Sequence, residues 1–485
     1  MKREANLLNG SIYSSLLCLM GPLIIGNIFQ QLYNTVDAVV IGKYAGLEAF
    51  AAIGVSGTIM NLFLFVISGC CSGIAIILAR YYGERNYLCF RNEVFMAFAL
   101  GAVGVFFISL LAFFCTDGCL RLLQTPQEVA AKASLYLKII FAGLVPAFFY
   151  NLSSAILRSV GNTVVALLIL ICTIILNFVL DLIFIRNFHM GIAGAAAATI
   201  LAQTLSAVLG IFFLIKKYPS LLFGKKDMYF NKNLFYKTLR YCFVSALQQA
   251  SLYLGKLMVQ GTVNSMGTEM ISAYTATTKA EGFANSFGDS GTEALSVFIA
   301  QNTGAGQHER VRRGFRKGFI LLAVMGISLS LAMYGAAGLS VSFISGTDNP
   351  DVIKEGVRYM AVISLFYLFN YIGAAYVGFF NGIGKVGISA VSVVFHITIR
   401  VILARCLIER LGLAAVAAAT GCGWAALVLC QTVLYFALRK ALSKNRGRYP
   451  KPAVNPLKSE PPQEAASVSR RRQDPDRVSS YPRWG

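Results

Sequence analysis

Apolar residues along this chain gather into long runs separated by short polar breaks. The runs cover residues 14–41, 49–78, 94–114, 133–157, 163–185, 191–215, 239–262, 270–300, 316–344, 356–380, 386–408 and 411–438. A helix needs about 20 consecutive apolar residues to cross the hydrocarbon of a bilayer, and each run has the length of one crossing. Buried strands would be shorter, and half-buried strands would alternate. The pattern predicts an all-α integral membrane protein with twelve transmembrane helices. One run is anomalous, because 270–300 carries Lys279, Glu281, Asp289 and Glu293.

The pattern also repeats. ARYYGERN (79–86) falls on AQNTGAGQ (300–307) at an offset of 221, and MGIAGAAAAT (190–199) falls on LGLAAVAAAT (411–420) at the same offset. YAGLEAFAA (44–52) meets NSMGTEMISA (264–273), which places Gly46 on Gly267 and Glu48 on Glu269, and LRSVGN (157–162) meets FNGIGK (380–385) at 223. Four matches in order at nearly one offset divide the twelve runs into two sets of six. Six crossings return a half to its starting side, so the halves are parallel repeats about an axis along the membrane normal. Secondary transporters use this plan, with substrate bound between the halves near the midplane. The repeat also rescues 270–300, whose counterpart 49–79 is plainly apolar; its polar side is expected to face a wet cavity.

The expected organisation is therefore an N-terminal lobe (1–215), a basic linker (216–238), a C-terminal lobe (239–440) and a tail (441–485). The tail holds seven of the twelve prolines together with Arg470, Arg471 and Arg472. Such a composition cannot bury a core and is expected to be disordered.

Composition agrees with the runs. The chain of 485 residues is 56% hydrophobic and 13% charged, where soluble domains carry about 25% charged residues. A net charge of +21 suggests nucleic acid until its distribution is read. Arg80, Arg85 and Arg91, the stretch from Lys216 to Arg240, and Arg310, Arg312, Arg313, Arg316 and Lys317 crowd alternate loops. That is the positive-inside pattern, so the lipid bilayer is the expected partner, nucleic acid is not, and both termini are expected in the cytoplasm. No cleavable signal pattern precedes the first run. Eleven cysteines without a CxxC pair indicate neither a zinc site nor a disulfide framework.

No phosphate-binding GxxxxGK[ST] loop and no HExxH occur, and the three histidines are dispersed, so the chain is not expected to be an enzyme or to hydrolyse ATP. An ion gradient is the remaining source of energy. Asp37 lies among Val36, Ala38, Val39 and Val40, where a charge costs at least about 2.5–3.5 kcal/mol, and intramembrane carboxylates are functional by default. In the fifth run Asn177 and Asp181 are four apart and share a helix face. Thr199 in the sixth run adds a further oxygen, and Tyr33 stands one turn before Asp37. Two carboxylates, an amide and a hydroxyl suit a small hard cation, and a close carboxylate pair equally suits a proton. At the repeat offset Asn177 falls on Arg400 and Asp181 on Ala404, so this acidic set belongs to the first half only. In the eighth run Glu281, Asn285, Asp289 and Glu293 follow at four-residue steps. They either attract a cationic substrate or pair with Lys256 and Lys279.

These residues resemble the multidrug and toxic compound extrusion (MATE) family of cation-coupled antiporters. The resemblance rests on PLIIGNIFQQLYNTVDAVVIG, RSVGN, NFVLD, GIAGAAAAT and SVFIAQNTGAGQ, and covers residues 10–440. It implies two lobes alternating between inward and outward access in a bacterial cytoplasmic membrane, exporting organic cations in exchange for H⁺ or Na⁺, with no cofactor, as a monomer. It also implies a prokaryotic-type cation site at Asp37, Asn177, Asp181 and Thr199, a cavity tyrosine at Tyr136, and helix bending at Pro22. A lipid-linked oligosaccharide flippase shares the architecture and is the alternative; Arg400, Lys256 and Lys279 favour it, and the acidic set counts against it. A passive channel would need no titrating pocket, and a membrane scaffold would leave the carboxylates unexplained.

Overall fold

In a computed structural model, residues 7–44, 47–122, 125, 127–345 and 349–444 are described. The side chains of 34–51, 122, 128 and 441–444 fall outside the description, so Asp37 is placed by its backbone alone, and the tail lies almost wholly outside the described residues. The chain is all helix among them. The first half comprises α1 (Ile12–Tyr44), α2 (Leu47–Gly83), α3 (Tyr87–Leu122), α4 (Gln127–Ala142), α5 (Leu144–Ser159), α6 (Thr163–Asp181) and α7 (Gly191–Lys217). The second comprises α8 (Lys232–Asn264), α9 (Thr268–Gly304), α10 (His308–Gly335), α11 (Ala337–Ser345), α12 (Pro350–Ser364), α13 (Tyr367–Gly382), α14 (Val386–Leu411) and α15 (Leu413–Lys444). Contacts divide the chain into Met1–Leu434 and a short second unit, Tyr435–Gly485, described only as the end of α15.

The repeat is visible in the turns. Left-handed backbone recurs at Arg85 and Gly306, at Gly161 and Gly384, and at Gly191 and Gly412, the offsets read from the sequence. Bends recur too. The α4–α5 pair kinks by 49° and the α12–α13 pair by 50°, so each pair is one broken crossing. Counting each bent pair once, and α11 as a short helix after α10, each half holds six long or paired helices.

Among the described residues, eight helices are long and apolar enough to cross a membrane by length and composition, and ten crossings pass once the two bent pairs are included. The two that fail are α8 and α9. For α9 the sequence anticipated this; for α8, read as an ordinary apolar run, it did not. Both lie against the other half: α2 packs on α8, and α1 and α2 pack on α9. Protein replaces lipid around much of α9, whereas α8 keeps Leu239, Phe243, Leu247, Leu254 and Met258 exposed and falls short because Gln248, Gln249 and Lys256 interrupt its apolar run. Thr277, Glu281, Ser286, Ser290, Gln301 and Asn302 of α9 are all buried.

Small residues set that seam. Gly69 and Gly73 of α2 form a GxxxG stretch, and a Cβ on either would stand 2.7–2.8 Å from the α8 backbone at Tyr241–Ala246. Such spacing lets two helix backbones approach closely. At the end bearing the basic loops, a Cβ on Gly83 would meet the Gln301 carbonyl at 2.0 Å, and one on Gly304 would meet the Arg80 carbonyl at 2.1 Å. Gly83 and Gly304 are repeat equivalents. Each sits on the other's helix, as a two-fold relation between parallel repeats requires.

Candidate functional site

α6 is the most apolar helix, yet its core-facing residues are polar. Ile175, Phe178 and Val179 are exposed, whereas Asn177 and Asp181 are 2% and 1% exposed. In lipid that inversion is expected, since the apolar face belongs outside and polar groups inside. Asp181 ends the α-helix, and a π-helical stretch follows at Leu182–Asn187. Such bulges are frequent at functional sites.

Tyr33 of α1 donates its hydroxyl to Oδ1 of Asn177, in a short hydrogen bond. Asn177 Nδ2 has no hydrogen-bond partner among the described residues. The pair expected from the i, i+4 spacing is thus joined to the helix that carries Asp37 one turn further on. Thr199 is partly buried, and its hydroxyl donates to the Ala195 carbonyl of its own helix at 3.0 Å. Tyr136 is buried in the first-half core, its hydroxyl directed at Met60 Sδ, 3.8 Å away. No group of three or more His, Cys, Asp or Glu side chains stands together among the described residues.

Pro22 lies inside α1. Proline has no N–H, so the carbonyl four residues back, at Cys18, loses its helical partner. The structure supplies one from another helix: Thr163, first residue of α6, donates its hydroxyl to Cys18 O at 3.4 Å. One turn past the proline, a Cβ on Gly26 would stand 3.2 Å from Leu170 of α6. α6 thus touches α1 at the proline, at Gly26 and at Tyr33. Further contacts tie α1 to the second half, where Asn27 Nδ2 donates to Ser290 Oγ at 3.0 Å and lies 3.4 Å from the Ser286 carbonyl.

The acidic face of α9 separates into two kinds of residue. Glu281 is buried, accepts from Tyr359 at 3.0 Å, and feels the charge of Arg400, which also bonds Tyr274. Glu293 forms a 2.5 Å ion pair with Arg158 of α5, across the halves. Asp289 is surface-accessible although deep among helices, and Lys256 and Glu293 are the charges acting on it. Lys256 is exposed. Arg400 stands where the first half has Asn177, so the second-half counterpart of the acidic site carries a fixed cation.

The sequence reading missed Asn27, Thr163, Arg158 as a partner of Glu293, and the α2 seam. Only the seam had a signal, the GCCSG stretch at 69–73.

The fold and the polar sites between its helices define an all-helical integral membrane protein built of parallel repeats. The MatE family model matches residues 22–183 and 244–405, stretches that begin 222 residues apart. The chain belongs to the MatE family. It is 28% identical over 377 residues to a probable multidrug resistance protein, YpnP, of Bacillus subtilis, covering 77% of this chain and 82% of that protein. It is 24% identical over 392 residues to a probable multidrug resistance protein, NorM, of Thermotoga maritima, covering 77% and 81%. In three dimensions it resembles a MOP superfamily transporter from Pyrococcus furiosus, with TM-score 0.83, 20% identity and coverage of 92% and 99%. It also resembles a multidrug resistance MATE family transporter in an outward-facing conformation, with TM-score 0.84, 20% identity and the same coverage.

Proposed function

We propose that this protein is a multidrug exporter that expels cationic amphipathic organic compounds across a bacterial cytoplasmic membrane in exchange for H⁺ or Na⁺. The observation that carries the reading is the buried Asn177–Asp181 pair, sealed from lipid and tied to α1 through Tyr33. A carboxylate so placed changes charge when it takes up a proton or Na⁺, and the change is felt by α1, which hinges at Pro22 against α6 and reaches the other half through Asn27. The related proteins named for multidrug resistance support the substrate class.

In this mechanism the anionic pocket, Asp37 and Asp181, favours a cationic compound between the halves. Uptake of the coupling ion neutralises it, removes that attraction, and biases α1 toward its bent form. A ligand shifts a two-state equilibrium only by its differential affinity for the two states, and charge neutralisation supplies that difference. With the basic loops facing the cytoplasm, as the positive-inside pattern supports, the close approach at Gly83 and Gly304 lies on the inner side.

The test is uphill movement of a fluorescent organic cation in proteoliposomes under an imposed pH or Na⁺ gradient. Wild type is expected to respond to one gradient, which names the ion. Asp181→Asn and Asp37→Asn should each abolish the response with folding intact. Transport by both variants at the wild-type rate would sink the proposal.

A further inference from the structure

The first turn of α1 and the start of α10 line an open recess of about 700 Å³ at the basic end. Ser11 lines it from the first half, and His308, Glu309, Arg310, Arg313 and Lys317 line it from the second. The Arg310 guanidinium donates to the carbonyls of Leu7, Gly10 and Asn9 at 3.0, 2.9 and 3.0 Å. Those acceptors are neutral, so its charge stays uncompensated. Lys317 Nζ rests 4.9 Å from the centre of the Tyr13 ring, which likewise leaves the charge standing. Arg313 pairs with Glu309 at 2.9 Å, but both side chains are 64% exposed, and such a pair is weak. Three cationic side chains thus face one carboxylate.

Both helices begin a membrane crossing here, at Ile12 and His308, which puts the recess at the bilayer surface. Below it, Tyr13 and Leu17 of α1 and Ile320 and Val324 of α10 are exposed apolar residues. Tyr13 and Leu17 are one turn apart, and Ile320 and Val324 continue the stripe below Lys317. A basic recess at the level of the headgroups therefore lies above exposed apolar side chains on α1 and α10.

The geometry points to a binding site for one anionic phospholipid, its phosphodiester headgroup among Arg310, Arg313 and Lys317 and an acyl chain against the exposed apolar side chains of α1 and α10. The site joins the two halves. The segment Leu7–Gly10 already bonds across to Arg310, and Asn302 donates to the Leu7 carbonyl at 3.2 Å. A lipid anion at this place touches both halves, with its headgroup on the cations of α10 and an acyl chain against Tyr13 and Leu17 of α1, and so favours the arrangement closed there.

The experiment is native mass spectrometry of the full chain in micelles titrated with phosphatidylglycerol or phosphatidylcholine. Wild type is expected to bind phosphatidylglycerol preferentially. Each basic residue near the surface contributes about fivefold, so R313Q/K317Q should weaken that binding on the order of 25-fold and leave phosphatidylcholine unchanged. R313K/K317R keeps the charges and should bind as wild type. K225Q/K226Q, in the exposed linker, should change binding less than about twofold if the site is local. Equal binding of the two lipids by wild type would overturn the proposal, as would an equal loss from the linker variant. Displacement of bound lipid by glycerol phosphate at equal concentration would reassign the recess to soluble anions and overturn it too.

Discussion

Replacing Thr163 by valine tests whether α6 holds the proline hinge of α1. The side chains have nearly the same shape, so the change removes the hydroxyl that the Cys18 carbonyl accepts at 3.4 Å and little else. Thr163 is 3% exposed, so water does not readily replace the lost donor. Hydrogen bonds between membrane helices are worth about 0.6 kcal/mol on average and at most about 1.7. The same range is expected here as lost stability in SDS-induced unfolding. If only the unbent α1 makes the bond, its population relative to the bent form falls about 3- to 18-fold. The decisive control uses Pro22→Ala. Alanine restores an N–H that takes the Cys18 carbonyl within α1, so Thr163→Val in that background should cost under about 0.3 kcal/mol, within the additivity error of a double-mutant cycle. Thr163→Ser keeps the donor and should retain most of the stability. A Thr163→Val loss of the same size with and without Pro22 would refute the hinge argument and leave Thr163 an ordinary packing residue.

Gly83→Ala puts a methyl group 2.0 Å from a main-chain carbonyl of α9, which no side-chain rotation relieves. It should hold the basic end apart and lower, severalfold, oxidative cross-linking of Cys70 to Cys242, whose thiols reach toward each other's carbonyls across α2 and α8; Gly104→Ala, which meets nothing within 4 Å, should not. Glu293→Gln leaves Arg158 without its carboxylate partner in a partly buried place and should cost about 1–2 kcal/mol, between exposed and buried pairs. The exchanged pair R158E/E293R should recover much of that, measured by thermal unfolding, and failure of the exchange to do better than either single change would remove the ion pair as a tie between halves.

Periodicity and the repeat carried much of the architecture into view. The left-handed turns at Gly161 and Gly384 stand at the offset of 223 found by matching letters, because a short turn between helices needs a residue that tolerates positive φ. Asn177 and Asp181 were legible as a pair because four residues bring helical side chains to one face. Their burial followed from lipid, which rejects polar groups wherever apolar ones are available.

Other features were not readable from one strand of letters. Thr163 and Cys18 are 145 positions apart, and nothing local in either marks the pairing. Thr199 reads as an oxygen ligand; that its hydroxyl donates to the Ala195 carbonyl one turn before it, leaving the oxygen lone pairs available, is not marked by any letter of the run. The acidic steps of α9 looked alike, but Glu281 and Glu293 have partners on α12 and α5 while Asp289 is left accessible. Each outcome depends on which helix stands opposite.

The sequence alone thus determined the class, the crossings, their parallel repeat and the helix face bearing the polar pair. All of these follow from the bilayer as solvent and from helical geometry within one segment. Only the tertiary structure decided that α2, α8 and α9 form the seam, that α6 supports the hinge of α1, and which α9 carboxylates are held. Those are choices among surfaces of similar polarity, and they are settled by close packing between residues hundreds of positions apart.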